Sequence, residues 1–143
     1  MYNYCKAFQA KTLVYDPYID KFSKKNLDEF IELCDVISIH VHLNNETKKM
    51  INRNSLGKSK TNLIIVNTSR GGVVDELDII SLLKNKKIGG YATDVLESEN
   101  GDIKSSPLIN EMKKNNKIII TPHVGGMTIE GQTKAYKWAI NKL

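Results

Sequence analysis

The chain has 143 residues, 41% hydrophobic and 26% charged, which suits one ordinary domain with a real core. No apolar run approaches the roughly 20 residues a membrane helix needs, and the opening MYNYCKAFQAK lacks the apolar stretch and small-residue cleavage site of a signal peptide, so a cytoplasmic protein with no membrane partner is expected. The net charge of +5 comes from scattered lysines (Lys24-Lys25, Lys48-Lys49, Lys84 with Lys86-Lys87, Lys113-Lys114) with no aromatic-interleaved basic stripe, so nucleic acid is not expected as a partner.

Short, β-branched apolar runs alternate with amphipathic segments. The first predicted strand is Thr12–Tyr15, closed by Asp16-Pro17. A helix over Asn26–Leu33 follows, with Cys34 behind it as a small core filler. Neither Cys34 nor Cys5 has a CxxC partner, so no metal knuckle or redox pair is expected. The next strand is Val36–His40, and short turns or helices start near Thr47 and Asn54. A strand over Asn62–Val66 leads to a helix over Asp75–Lys84, which begins with acids and ends with lysine as the helix dipole prefers. Then come a strand over Gly90–Asp94, a helix over Pro107–Asn115 capped by Ser106, a strand over Ile118–Thr121 and a last helix over Thr128–Leu143. Several of these strands are continuous apolar runs, which suits strands buried on both faces of a parallel sheet. The alternation predicts an α/β layer fold with right-handed crossovers.

Ligands of such sheets collect beyond the carboxyl ends of the strands. "VYDPY" ends in Asp16, either a turn aspartate before proline or the acid that hydrogen-bonds an adenosine ribose. An acid there repels a 2′-phosphate, favouring NAD over NADP. In "ISIHVHLNNET", His40 and His42 alternate and have no third metal ligand close in sequence, so a loop lining the adenine side is expected and no metal site. "VNTSRGG" delivers Asn67, Thr68, Ser69 and Arg70, then Gly71-Gly72, which permit backbone conformations that a Cβ would forbid. A guanidinium binds a carboxylate through two parallel hydrogen bonds. A structural ion pair at a helix N-terminus is the other reading of Arg70, and the dipole opposes it. "GGYATDVLESEN" carries Asp94, Glu97 and Glu99, and "IIITPHVGG" carries His123. Arginine, a carboxylate and histidine on successive strand ends are the parts needed to reduce a 2-keto acid. Arginine holds the substrate carboxylate and polarises the carbonyl. Histidine supplies the proton, and the acid stabilises the protonated histidine.

The stretches "VYDPY", "DVISIHVHLNNETKKMIN", "VNTSRGGVVDE", "GGYATDVLESE" and "ITPHVGGMT" together resemble the nucleotide-binding domain of the D-isomer-specific 2-hydroxyacid dehydrogenases, the family of D-lactate and D-3-phosphoglycerate dehydrogenases. The resemblance implies a Rossmann-like α/β fold, a parallel sheet with helices on both faces. It implies NAD as cofactor, a small 2-keto or 2-hydroxy acid as substrate, and a homodimer in the full-length form. It makes Arg70, Glu99 and His123 the catalytic residues, with Glu97 as the other acid near His123. Asp16, Thr68, Ser69 and Asp94 become cofactor contacts, Asp94 toward the nicotinamide carboxamide. Two departures stand out. His42-Leu43-Asn44 replaces the usual Pro-Leu-Thr. The family's first strand and Gly-x-Gly-x-x-Gly loop have no counterpart here, and MYNYCKAFQAK resembles the back half of the helix that follows that loop. Residues 1–143 are therefore expected to form a partial NAD-binding domain, part of a longer enzyme, without the substrate domain. A non-catalytic NAD-sensing or partner-binding protein, or an inactive truncated remnant, are the other functions the same scaffold allows.

Overall fold

The computed structural model describes residues 1–19, 21, 26–99 and 101–142, which leaves Lys24-Lys25 and the last residue of the predicted C-terminal helix outside the described residues. A six-residue helix, α1 (Tyr2–Ala7), opens the chain. Asn26 begins α2 (Leu27–Glu32) by accepting the Glu29 N–H at 2.9 Å, the expected N-cap geometry. Four strands follow, β1 (Val36–Ile39), β2 (Ile64–Asn67), β3 (Gly90–Thr93) and β4 (Ile118–Ile120). They pair in that order, all parallel. α3 (Glu76–Lys84) lies between β2 and β3, α4 (Pro107–Met112) between β3 and β4, and α5 (Ile129–Ile140) after β4.

The remaining caps match their residues. Asp75 accepts the Asp78 N–H at 3.1 Å to start α3, Ser106 accepts the Ile109 N–H to start α4, with Pro107 in its first turn, and Thr128 accepts the Gly131 N–H at 3.0 Å to start α5. Each satisfies a backbone donor that the first helical turn leaves without a partner. Cys34 is buried as expected, its Sγ donating to the Phe30 carbonyl at 3.2 Å, and burial pushes the thiol up.

The core lies on one side of the sheet. Ile37, Ile65, Tyr91 and Ile118 stand side by side across the four strands and are buried with Ile31, Ile79, Leu83 and Leu108 from the helices. On the other side stand Val36, Ile64, Val66, Ala92 and Ile119, of which Val36, Ile64 and Ile119 are exposed. The expectation of strands buried on both faces is therefore corrected: among the described residues helices cover one face only. The period-2 alternation this produces is masked in the sequence, because both faces are apolar.

Thr12–Tyr15 is the second correction. It forms no strand, since a strand exists only as part of a ladder and no described segment pairs with this one. Asp16 at its end closes a turn, its Oδ1 accepting the Tyr18 N–H at 3.0 Å, which is the turn-aspartate reading. From Thr121 to Lys142 every residue is exposed, so α5 packs its apolar residues (Trp138, Ile140) against nothing described. No helix among the described residues is long and apolar enough to cross a membrane.

One-sided burial has a measurable consequence. Ile65 is 0% exposed and its neighbour Ile64 44%. Ile65→Ala should cost about 2–5 kcal/mol of unfolding free energy and Ile64→Ala less than half of that, read from urea denaturation midpoints at constant slope.

Candidate active site

The register puts Asn67 beside Thr93, and Thr93 beside Ile120. Three adjacent strands therefore end at one level, and the polar segments that follow them meet. The loop after β2 is folded by Asn67 itself. This fully buried side chain accepts the Ser69 N–H at 3.0 Å and hydroxyl at 2.9 Å, and donates to the Arg70 carbonyl at 3.0 Å. By residue type alone Asn67 is only a short polar group. Its signal was a polar residue directly continuing an apolar strand.

Arg70 follows in extended conformation at the entry to a 3-10 turn, Gly71–Val73. Its side chain is exposed and its guanidinium donates only to the neighbouring Ser69 carbonyl, at 2.7 Å. Among the described residues no carboxylate pairs with it. Thr68 is exposed beside it and Ser69 half-buried. Gly71 is needed for a reason other than the one expected. Among the described residues no glycine has positive φ. A Cβ on Gly71 would instead lie 2.0 Å from the Leu96 carbonyl carbon and 2.2 Å from the Glu97 nitrogen. Glycine here permits close approach of two backbones, the one that carries Arg70 and the one that carries Glu99.

Glu99 and His123 are brought together. His123 Nδ1 lies 3.1 Å from Glu99 Oε2, and Glu99 Oε1 accepts the Leu96 N–H at 3.0 Å. Glu97, the other candidate acid, turns away and lies 3.7 Å from Lys49 Nζ. His123 has φ of 55°, in the left-handed region that few non-glycine residues enter. What holds it there is Asp94. This buried carboxylate accepts the Thr121 hydroxyl, the Val124 N–H at 3.0 Å and the Gly125 N–H at 2.7 Å, bracketing His123 on both sides. These bonds, the Thr121 hydroxyl foremost, hold the Asp94 carboxyl below its ordinary value. A carboxylate has about four acceptor positions, so Asp94 retains capacity for one further donor such as a carboxamide. Neither the part of Thr121 nor this bracing role is legible in the sequence, since both join segments far apart along the chain.

Asp16 lies in the loop before α2, and no described contact joins it to the three strand ends. The two histidines are equally separate: Ser38 Oγ is 2.8 Å from His40 Nε2, and the His42 carbonyl accepts the Thr47 hydroxyl at 2.6 Å.

A family model for the D-isomer specific 2-hydroxyacid dehydrogenase, NAD binding domain, matches residues 1–125. The chain belongs to this family of NAD-binding domains, and its parallel sheet is the Rossmann-like sheet of those enzymes. It is 31% identical to the D-lactate dehydrogenase kk1H of Curvularia clavata over 96% of the chain and 43% of that protein. It is 38% identical to the D-3-phosphoglycerate dehydrogenase of Methanocaldococcus jannaschii over 91% of the chain and 25% of that protein. Among solved structures, the D-lactate dehydrogenase of Aquifex aeolicus complexed with NAD and lactic acid superposes with a TM-score of 0.82 at 29% identity, over 97% of the chain and 46% of that structure. The chain thus spans less than half the length of these relatives.

The Asp94 brace makes a pH prediction. A carboxyl whose folded pKa is depressed adds stability that is present above its ordinary value of 3.8 and is lost as pH falls through the folded value. Asp78, held low by the Arg53 backbone and side chain, acts in the same direction. Glu76, raised by burial, acts in the opposite one: its contribution is full below 4.5 and lost as pH rises through the raised value. In melting curves from about pH 5 to about pH 2, Asp94→Asn should lose stability less steeply than the wild-type protein. Parallel curves would remove Asp94 from the account.

Proposed function

We propose that this chain is the nucleotide-binding part of an NAD-dependent dehydrogenase that interconverts a D-2-hydroxy acid and its 2-keto acid. The observation that carries the reading is the His123–Glu99 pair, next to an exposed Arg70 free of any described carboxylate, on the ends of three adjacent strands. The named activities of the relatives support it. Residues 1–143 are read as a partial NAD-binding domain whose substrate domain lies outside these residues, and the working form as a cytoplasmic homodimer.

The residues present fit the nicotinamide end of NAD. Thr68 offers an exposed hydroxyl, Ser69 lies beside it, Asp94 keeps an acceptor position, and around Gly126 a Cβ would meet nothing within 4 Å. Asp16 would take the ribose hydroxyls through the carboxylate oxygen left free by its turn. No Gly-x-Gly-x-x-Gly stretch occurs in these residues, so they provide no loop of that type for the pyrophosphate. Bound there, NAD supplies or accepts the hydride.

The chain's own residues account for the rest. Arg70 binds the substrate carboxylate and fixes the keto group relative to the nicotinamide. Glu99 accepts from His123 Nδ1–H, which leaves Nε2 as the proton-carrying atom. Nε2 protonates the forming alkoxide oxygen and takes the proton back in the reverse direction. The negative charge of Glu99 stabilises the imidazolium that donates. Because the histidine sits in a strained backbone conformation braced by Asp94, its ring is held in place before substrate arrives.

In the active enzyme carrying these residues, Arg70→Lys should raise KM for the 2-keto acid by about 10- to 100-fold, the loss of one charge-assisted hydrogen bond. His123→Gln should lower kcat by about 10²- to 10⁴-fold. Steady-state kinetics on a panel of 2-keto acids measures both; no activity with any member of the panel would favour a non-catalytic NAD-binding protein. The 143-residue chain alone should show weak NAD binding in a thermal-shift titration and little turnover. Rapid lactate-dependent NADH formation by it would overturn the assignment of a partial domain.

A further inference from the structure

Glu76 has no part in the reaction just described, yet it is placed with unusual care. It sits in the first turn of α3, where an acid normally faces water and favours the helix dipole. Instead it is 4% exposed and points at the turn after β3. Its Oε1 accepts the Glu97 N–H at 2.9 Å. The preceding amide, Leu96 N–H, is the one that donates to Glu99 Oε1. Two consecutive peptide groups therefore face two carboxylates, one from the Arg70 side of the site and one that touches His123.

The rest of this junction is equally tight. Gly71 brings its backbone against Leu96 and Glu97 with no room for a methyl group. Lys49, itself at φ of 50°, donates its backbone N–H to the Gly72 carbonyl at 2.8 Å. Its ammonium lies 3.2 Å from Asp75 and 3.7 Å from Glu97, so one cation offsets the repulsion among the acids gathered there. A buried carboxylate is costly unless its hydrogen bonds are made, and a costly group held in such a place fixes what it bonds to.

We propose that Glu76 is a positioning residue that seats Glu99 against His123 by anchoring the 96–97 peptide. With the Glu97 N–H held, the Leu96 N–H is aimed at Glu99 Oε1, and Oε2 is left facing His123 Nδ1. The same bond ties the Glu99 turn to the first turn of α3, while Gly71 packs the loop bearing Arg70 against that turn, so the carboxylate-binding and proton-transfer groups keep a fixed relation. The inference rests on the reading of Glu99 and His123 as the proton-transfer pair.

The test is NMR on the 143-residue chain, without substrate or cofactor, so that its failure is distinct from failure of the dehydrogenase reading. In the wild-type chain the Glu97 amide should exchange at least ~10-fold more slowly than an exposed amide of the same turn. Glu76→Ala should abolish that protection and move the His123 Nδ1 ¹⁵N resonance to the position found in Glu99→Ala. Glu76→Gln keeps a carbonyl acceptor and should restore both signals. A folded Glu76→Ala chain with an unmoved His123 resonance overturns the proposal, as does a Glu76→Gln chain that behaves like Glu76→Ala. If Glu76→Ala does not fold, the other two measurements decide. A protected Glu97 amide with wild-type His123 in Glu76→Gln supports the anchor; an unprotected amide in the wild-type chain overturns it.

Discussion

Everything at the site depends on the register of the parallel ladder. Asn67, Thr93 and Ile120 stand abreast, so the residues that follow them leave the sheet at one edge and one level. Arg70 and His123 each come three positions after the last strand residue, and Glu99 six after Thr93. A shift of one residue in any pairing would turn that strand's side chains to the opposite face and move its loop out of reach. The buried row Ile37, Ile65, Tyr91 and Ile118 prevents such a shift, because slipping it would put those side chains on the uncovered face.

Above the ladder, the loops are held by buried polar side chains bonded to backbone. Asn67 folds the Arg70 loop, Asp94 braces His123, and Glu76 holds the Glu97 amide. Each bonds main-chain groups that the irregular backbone of the loops does not pair by itself. Each also removes freedom from the segment it bonds to. The exposed residues Arg70 and His123 thus rest on buried ones, whose hydrogen bonds are strengthened by the exclusion of water.

The resemblance of five short stretches to one family was legible without coordinates, and so were four of the five predicted strands, their parallel pairing and the Ser106 cap, while the preference for Glu99 over Glu97 came with the resemblance. Local chemistry carries these, since a cap is read within four residues and an apolar run within one strand. Thr12–Tyr15 was not legible as a loop, because its composition is that of a strand and only the absence of a paired neighbour among the described residues decides otherwise. The bare face of the sheet was hidden for a similar reason: Ile64 and Ile65 are the same residue, and only what packs on them differs.

The sequence by itself determined the order of the four strands and the helices between them, the helix starts and the presence of arginine, glutamate and histidine after successive strands. These depend on side-chain type and short spacing. The tertiary structure alone decided why Gly71 is glycine, that Asp94 serves the His123 loop, and that an acid in the first turn of α3 points inward. Each of these is a contact between segments more than twenty residues apart, and residue type is silent about such contacts because the same aspartate, glutamate or glycine would suit an exposed turn equally well.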